Sequence, residues 1–146
     1  KVKVVDLNVL LYALNEDAPH NRMLLQWWED AVNSDESVGL PWSVLLGFLR
    51  ITTNPKIFPN PLEPAAAIGR IDTWLSLANT CLVSEKAEHW EILRTLAVET
   101  GTAGNLTTDA HLAALAISHG AVLVSCDRDF ARFRGLRWEN PLDSGA

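Results

Sequence analysis

The sequence predicts an α/β fold with three layers, in which a central, mostly parallel sheet of four or five strands lies between helices. Three observations predict it. Strand-like runs alternate with helix-like runs along the chain, as they do in successive βαβ units. Residues 1–6 and residues 121–127 are both rich in valine, and both end on an aspartate. The segment 121–125 is almost continuously apolar, which is typical of a strand buried on both faces of a parallel sheet.

The individual elements follow from the spacing of apolar residues. Clusters of β-branched and apolar residues predict strands at 1–6, 37–40, 80–83 and 121–125. Apolar residues that recur every three or four positions predict helices at 7–14, 19–33, 41–53, 64–77, 87–100 and 108–119. Gly101 and Gly120 follow the last two helices, where glycine commonly ends a helix. Right-handed crossovers would then place a ligand site beyond the carboxyl ends of the strands.

Length and composition indicate a single folded domain, residues 1–146. The chain is 48% hydrophobic and 21% charged, which are ordinary globular values. None of its apolar runs approaches the roughly 20 residues that span a bilayer. The first residues form a strand pattern rather than a secretory signal, so we expect a cytoplasmic protein that does not enter the membrane. Two cysteines are too few for a disulfide framework, and we expect both to be reduced.

The charge of the chain argues against nucleic-acid binding, while one cluster argues for it. The net charge is −6, whereas contacts to phosphate normally require clustered lysine and arginine. Four arginines nevertheless follow the last acidic motif closely: Arg128, Arg132, Arg134 and Arg137. We interpret them as a basic rim around an acidic site, and the alternative is that they are ordinary solvated charges.

Asp6 and Asp127 are the two aspartates that end strands, so the fold places them at the same edge of the sheet. Ionised carboxylates in one cleft repel one another unless one is protonated or a divalent cation neutralises them. Carboxylate and amide oxygens suit Mg²⁺, or Mn²⁺, better than zinc. The pair therefore predicts a Mg²⁺ site. The alternative for a single aspartate at a helix start is a capping role, which applies most strongly to Asp109 or Asp129 taken alone.

Four segments resemble a known family. These are VDLNVLL at 5–11, LLGFLRITTNP at 45–55, TDAHLAA at 108–114 and SCDRDF at 125–130. With them the chain resembles the PIN-domain ribonucleases of the VapC toxin type along nearly its whole length. The resemblance implies a PIN fold, Mg²⁺-dependent cleavage of RNA, a homodimer, and inhibition by a VapB-type antitoxin.

The resemblance also suggests roles for individual residues. Asp6, Asp109, Asp127 and Asp129 would be the catalytic carboxylates. Asp6 and Asp127 would bind the metal directly, and Asp109 would bind it directly or through a water. Asp129 and Asn8 would complete the site through water or hydrogen bonds. Ser125 would orient Asp127 or a water, unless its hydroxyl only bonds the local backbone.

Gly47 stands where many PIN domains carry a glutamate. Glycine inside a helix costs roughly 1 kcal/mol relative to alanine, so its presence suggests a close neighbour or ligand. Arg50 lies on the same predicted face. It would support the site by contacting a phosphate or an aspartate, or else form a structural ion pair.

Two other functions compete with a nuclease. A non-catalytic PIN-like module would bind RNA or a partner but would have lost its chemistry through Gly47. A receiver domain would need an isolated phosphoacceptor aspartate and a late lysine, but Lys86, the last lysine, does not follow the strand that ends at Asp127. The four histidines and six tryptophans are interpreted as structural. His111 in particular is two residues from Asp109, a spacing that turns the two side chains away from each other on a helix.

Overall fold

The structure, a computed structural model, describes residues 2–101 and 104–143 and confirms the predicted α/β class. The strands are β1 (Val2–Val5), β2 (Ser37–Pro41), β3 (Thr80–Val83), β4 (Val122–Val124) and β5 (Arg137–Glu139). The helices are α1 (Leu7–Leu14), α2 (Asn21–Val32), α3 (Trp42–Thr52), α4 (Pro64–Ser76), α5 (His89–Thr100) and α6 (Thr107–Ser118). Short 3-10 helices lie at Gly104–Leu106 and Arg128–Arg132.

All strand pairs of the sheet are parallel, and the spatial order is β3-β2-β1-β4-β5. Strands β2 and β3 are added on one side of β1, and β4 and β5 are then added on its other side. The switch lies between β1 and β4, where Val5 is paired with Val124. A crevice at the carboxyl ends of strands on either side of such a switch is the usual ligand site of open α/β sheets.

The core lies on both sides of β1 and β4. Val4, Val5, Leu123 and Val124 are completely buried, which explains why these strands read as continuous apolar runs. Helix α6 is also deeply buried from Leu112 to Ala116. Its polar first turn is the part that reaches the edge of the sheet, so the burial of the rest of α6 fixes where that turn lies.

Three features of the fold differ from the predicted elements, and the simplest is that α5 begins at His89 rather than at residue 87. Helix α2 begins at Asn21 rather than at residue 19, because His20 has a left-handed backbone (φ 62°) that interrupts the helix. The Asn21 side chain donates to the carbonyls of Tyr12 and Ala13 at the end of α1. Strand β5 has only three residues, Arg-Trp-Glu, and its local pattern is too short to identify it without its partner β4.

Cys81 and Cys126 are both free thiols, the first exposed and the second half-buried. Burial and the charge of Asp6 raise the pKa of the Cys126 thiol to about 11, so it is not an activated nucleophile. No helix in the described part of the chain has the length and apolar character that a bilayer crossing requires.

Candidate metal centre

Asp6 is fixed by the junction of β1 and α1. Its backbone N–H donates to the carbonyl of Val124 at 2.9 Å, which continues the β1–β4 pairing by one residue. Its side chain caps α1, because Oδ1 accepts from the N–H of Leu7 at 2.7 Å. The capping role considered as an alternative is therefore real, but the carboxylate also faces the end of β4.

Ser125 joins the two strand ends. Its hydroxyl donates to Oδ2 of Asp6 at 2.7 Å and accepts from the backbone N–H of Asp127 at 3.0 Å. Asn8 completes the link, because its Nδ2 lies 3.1 Å from Ser125 Oγ and 3.3 Å from Asp6 Oδ2. The Asn8 Oδ1 accepts from the N–H of Cys126 at 3.1 Å. The Ser125 hydroxyl thus contacts the Asp6 carboxylate and the local backbone, and its role in orienting Asp127 or a water stays a prediction.

Three further carboxylates gather in front of this network. Asp127 follows β4 and caps the 3-10 helix, its Oδ1 accepting from the N–H of Asp129 at 2.9 Å. Asp109 lies in the first turn of α6. One oxygen from each of Asp109, Asp127 and Asp129 lies within 4.8 Å of the others. Asp6 does not belong to this group of three, and both of its oxygens already accept hydrogen bonds.

The carboxylates of this cluster repel one another when they are ionised. The pKa of Asp109 is raised to about 6, first by burial and then by the negative charges of Asp127, Asp6 and Asp129. The pKa of Asp6 is also raised, chiefly by burial, although the hydrogen bonds from Ser125 and Leu7 oppose the change. A divalent cation would relieve this repulsion, and carboxylate oxygens are the donors that Mg²⁺ and Mn²⁺ prefer. The residues therefore suit such an ion.

Gly47 and Arg50 lie on α3, whose packing on α1 brings Gly47 next to the residue that follows Asp6. A Cβ on Gly47 would come within 2.8 Å of Leu7 Cδ2, so the close neighbour that the glycine admits is the side chain of Leu7 on α1. Arg50 is exposed one helical turn farther along α3. Within residues 2–101 and 104–143 it forms no hydrogen bond or ion pair with an aspartate.

The arginines of the predicted basic rim are divided between the carboxyl ends and the amino ends of the strands. Arg128 and Arg132 lie on the 3-10 helix after Asp127, but Arg128 pairs with Asp143 at 2.8 Å and Arg132 with Asp129 at 3.7 Å. Arg137 is the first residue of β5, at the amino ends of the strands, and it donates to the carbonyl of Gly120. Arg134 precedes that strand. The arginines near the cluster are therefore already partnered by carboxylates.

Sequence reasoning did not identify a histidine pair beside the cluster. Nε2 of His89 lies 3.0 Å from Nδ1 of His111, and the two rings meet edge to face. Burial and the neighbouring His89 lower the pKa of His111. The pair ties the start of α5 to α6 close to Asp109. It brings together residues that are far apart in sequence, and no spacing rule reveals such a contact.

Comparison with known proteins establishes the family. A family model described as the PIN domain matches residues 3–136. The chain belongs to the PIN-domain family. This PIN domain is 44% identical over 140 residues to a protein named ribonuclease VapC37 of Mycobacterium tuberculosis, covering 96% of this chain and 97% of the relative. It is 42% identical over 139 residues to ribonuclease VapC33 of the same organism, with 95% and 97% covered.

Solved structures confirm the PIN-like fold. The VapBC2 complex of Rickettsia felis, bound to a DNA fragment from its promoter, contains a chain that matches with a TM-score of 0.73 at 19% identity, covering 96% of this chain and 98% of that one. A chain of the DNA-bound VapBC complex of Salmonella typhimurium matches with a TM-score of 0.67, also at 19% identity, covering 95% and 97%. The resemblance seen in the sequence motifs is thus confirmed at the level of family and fold.

Proposed function

We propose that this PIN domain is a metal-dependent endoribonuclease and the toxin of a VapBC-type toxin–antitoxin pair. One observation carries the proposal: Asp109, Asp127 and Asp129 converge within 4.8 Å at the switch point of the sheet, and Ser125 links Asp6 to the backbone of Asp127. Its support is that relatives which match it over nearly their whole length are named ribonucleases. Residues 1–146 would form one domain that acts in the cytoplasm.

The chain's own residues would position an ion and a phosphodiester at this edge. Asp6, Asp109 and Asp127 would hold the ion, with Asp129 as the fourth catalytic carboxylate. Bound there, Mg²⁺ or Mn²⁺ would supply an activated water and stabilise charge on the phosphate.

Asn8 and Ser125 would keep Asp6 from rotating, because their hydrogen bonds fix Oδ2. Arg50 is assigned a supporting contact to the RNA backbone away from the ion, since it is exposed on α3 without a carboxylate partner among the described residues.

The proposed partners follow from the solved relatives. Those structures are named VapBC in their descriptions, and two of the three are described as bound to DNA. We infer that a VapB-type antitoxin inhibits this PIN domain and that the chain forms a homodimer. RNA is the proposed substrate.

A non-catalytic binding module is the second candidate, and Gly47 is the observation that favours it. The position that often carries a glutamate is here packed against Leu7 and offers no ligand oxygen. This candidate expects metal binding without cleavage.

Cleavage of total cellular RNA by the purified, antitoxin-free chain separates the two candidates. We expect discrete fragments with Mg²⁺, none with EDTA, and none from Asp6→Ala or Asp127→Ala. Metal binding without fragments would favour the binding module. Cleavage that survived either substitution would refute the assignment of the metal centre.

A further inference from the structure

The carbonyl of Ser125 lies where the pairing of β4 with β5 ends. In a parallel pair, a residue that donates its N–H to one residue of the partner strand accepts at its carbonyl from the residue two positions farther along. Ser125 donates to the carbonyl of Glu139 at 3.1 Å, so the next bond of the ladder would come from residue 141. That residue is Pro141, which has no backbone N–H to donate.

The side chain of Trp138 supplies the missing donor. Trp138 is the middle residue of β5, paired with Leu123 of β4, and its Nε1 donates to the Ser125 carbonyl at 2.9 Å. Ser125 is completely buried, so no solvent replaces this bond from outside. The indole N–H thus takes the place of the ladder bond that proline cannot make.

Ser125 connects this bond to the metal centre. Its hydroxyl donates to Asp6 at 2.7 Å and accepts from the N–H of Asp127 at 3.0 Å. The peptide whose carbonyl accepts from Trp138 has the N–H of Cys126 at its other side, and that N–H donates to Asn8 Oδ1 at 3.1 Å. A rotation of this peptide would therefore displace Asn8, whose Nδ2 lies 3.1 Å from Ser125 Oγ and 3.3 Å from Asp6 Oδ2.

We propose that Trp138 is a positioning residue of the metal centre: its indole N–H holds Ser125, and through it Asp6 and Asp127, in the geometry that binds the ion. This inference rests on the proposed metal-dependent function. It assigns a role to a tryptophan of β5 that acts through its hydrogen bond to the Ser125 carbonyl. Outer partners of metal ligands commonly set metal affinity by orienting those ligands.

Three variants of the full chain separate the N–H from the bulk of the side chain. Trp138→Phe removes the donor and keeps an aromatic ring. Trp138→Phe with Pro141→Ala restores a backbone N–H at the position where the ladder expects one. Replacing Trp138 by benzothienylalanine removes only the donor and keeps the shape, which covers the case in which Trp138→Phe does not fold. Trp90→Phe is the matched control, because Trp90 is 64% exposed and lies on a helix, α5, rather than on a strand of the sheet.

The decisive readout is the Mn²⁺ dissociation constant from calorimetry, with the melting temperature in EDTA and the kcat and KM for RNA measured alongside. We expect Trp138→Phe and the benzothienylalanine variant to bind Mn²⁺ about tenfold more weakly, with kcat lowered and KM little changed. The double variant should regain most of the affinity, and Trp90→Phe should match the wild type.

Two results would overturn the proposal. One is a lower melting temperature with an unchanged Mn²⁺ dissociation constant, which means a role in stability alone. The other is a double variant that folds but does not regain affinity. Failure of the wild type itself to bind Mn²⁺ or cleave RNA would instead refute the proposed function on which the inference depends.

Discussion

Asp6 and Asp109 show how one cluster places two carboxylates in different surroundings. Asp6 is buried, and its oxygens accept from a backbone N–H, from Asn8 and from Ser125. Asp109 is half-buried and accepts no hydrogen bond from the described residues. Asp6 is therefore held in place whether or not an ion is bound, whereas none of the side chains that the structure describes offsets the repulsion of Asp109 from the other aspartates.

The raised pKa of Asp109 gives a testable effect on stability without metal. Its folded pKa of about 6 exceeds the ordinary 3.8, so ionisation opposes folding. The penalty is absent below the ordinary value and complete above the raised one. We expect Asp109→Asn to raise the free energy of unfolding in EDTA by about 1 kcal/mol at about pH 7.5, after discounting for solvent screening. The gain should vanish near pH 4.

Urea unfolding of the two proteins at both pH values measures this effect. Asp72→Asn on the exposed face of α4 is the control, and it should change stability little at either pH. In Mn²⁺ the order should reverse, because the wild type gains binding energy that Asp109→Asn lacks. Destabilisation by Asp109→Asn in EDTA at neutral pH would contradict the electrostatic description.

The sequence predicts some of these residues and not others, for a physical reason. Asp6 and Asp127 can be placed together from strand ends alone. The assignment of Asp109 and Asp129 to the site depends on the resemblance of their motifs to the family, because an aspartate near a helix start is more commonly a cap. Trp138 is beyond such reasoning, since its role depends on β5 pairing with β4 and on the proline three residues later.

At the scale of elements, the packing of α3 on α1 explains Gly47. An added Cβ would lie 2.8 Å from Leu7 Cδ2, whereas a Cβ on Gly69 of α4 would meet nothing within 4 Å. Both glycines lie inside helices, so alanine should gain up to about 1 kcal/mol of helix propensity at each. We expect Gly69→Ala to stabilise the protein by that amount.

Gly47→Ala should gain less than Gly69→Ala or destabilise, because the Leu7 side chain must move to make room. Thermal unfolding of the two variants beside the wild type measures the difference. Equal stabilisation at both positions would show that Leu7 yields freely, and the close-packing explanation for Gly47 would then be wrong.

The elements themselves were predictable to the extent that they are long or continuously apolar. The strand pattern at 37–40 and the helix pattern at 64–77 each match the structure to within a residue at either end. The start of α2 was missed because the left-handed backbone of His20 is not encoded by apolar spacing. Strand β5 is assigned as a strand by its pairing rather than by its composition.

As the proposed ribonuclease, the whole molecule, with a net charge of −6, would have to bind a polyanion. The arginines nearest the cluster are partnered, Arg128 by Asp143 and Arg132 by Asp129. The affinity for RNA would therefore depend on how far these pairs screen the carboxylates, and on the ion. Such surface electrostatics weaken as salt rises.

Removing the partner of Arg128 should tighten RNA binding. Asp143→Asn frees a cation close to Asp127, and we expect KM for RNA to fall about two- to threefold at about 0.05 M salt, with little change at about 0.5 M. Asp72→Asn alters the net charge equally but lies on α4 and should have a smaller effect. If the two variants lower KM by the same amount, net charge rather than the freed arginine controls binding.

Anomalous diffraction from crystals grown with Mn²⁺ would show whether the aspartates at the β1–β4 switch hold a divalent ion, as proposed. We expect a peak about 2.0–2.2 Å from carboxylate oxygens of this cluster, and no peak there in Asp127→Ala crystals. A well-ordered cluster without a peak at saturating Mn²⁺, or an ion bound only elsewhere, would contradict it.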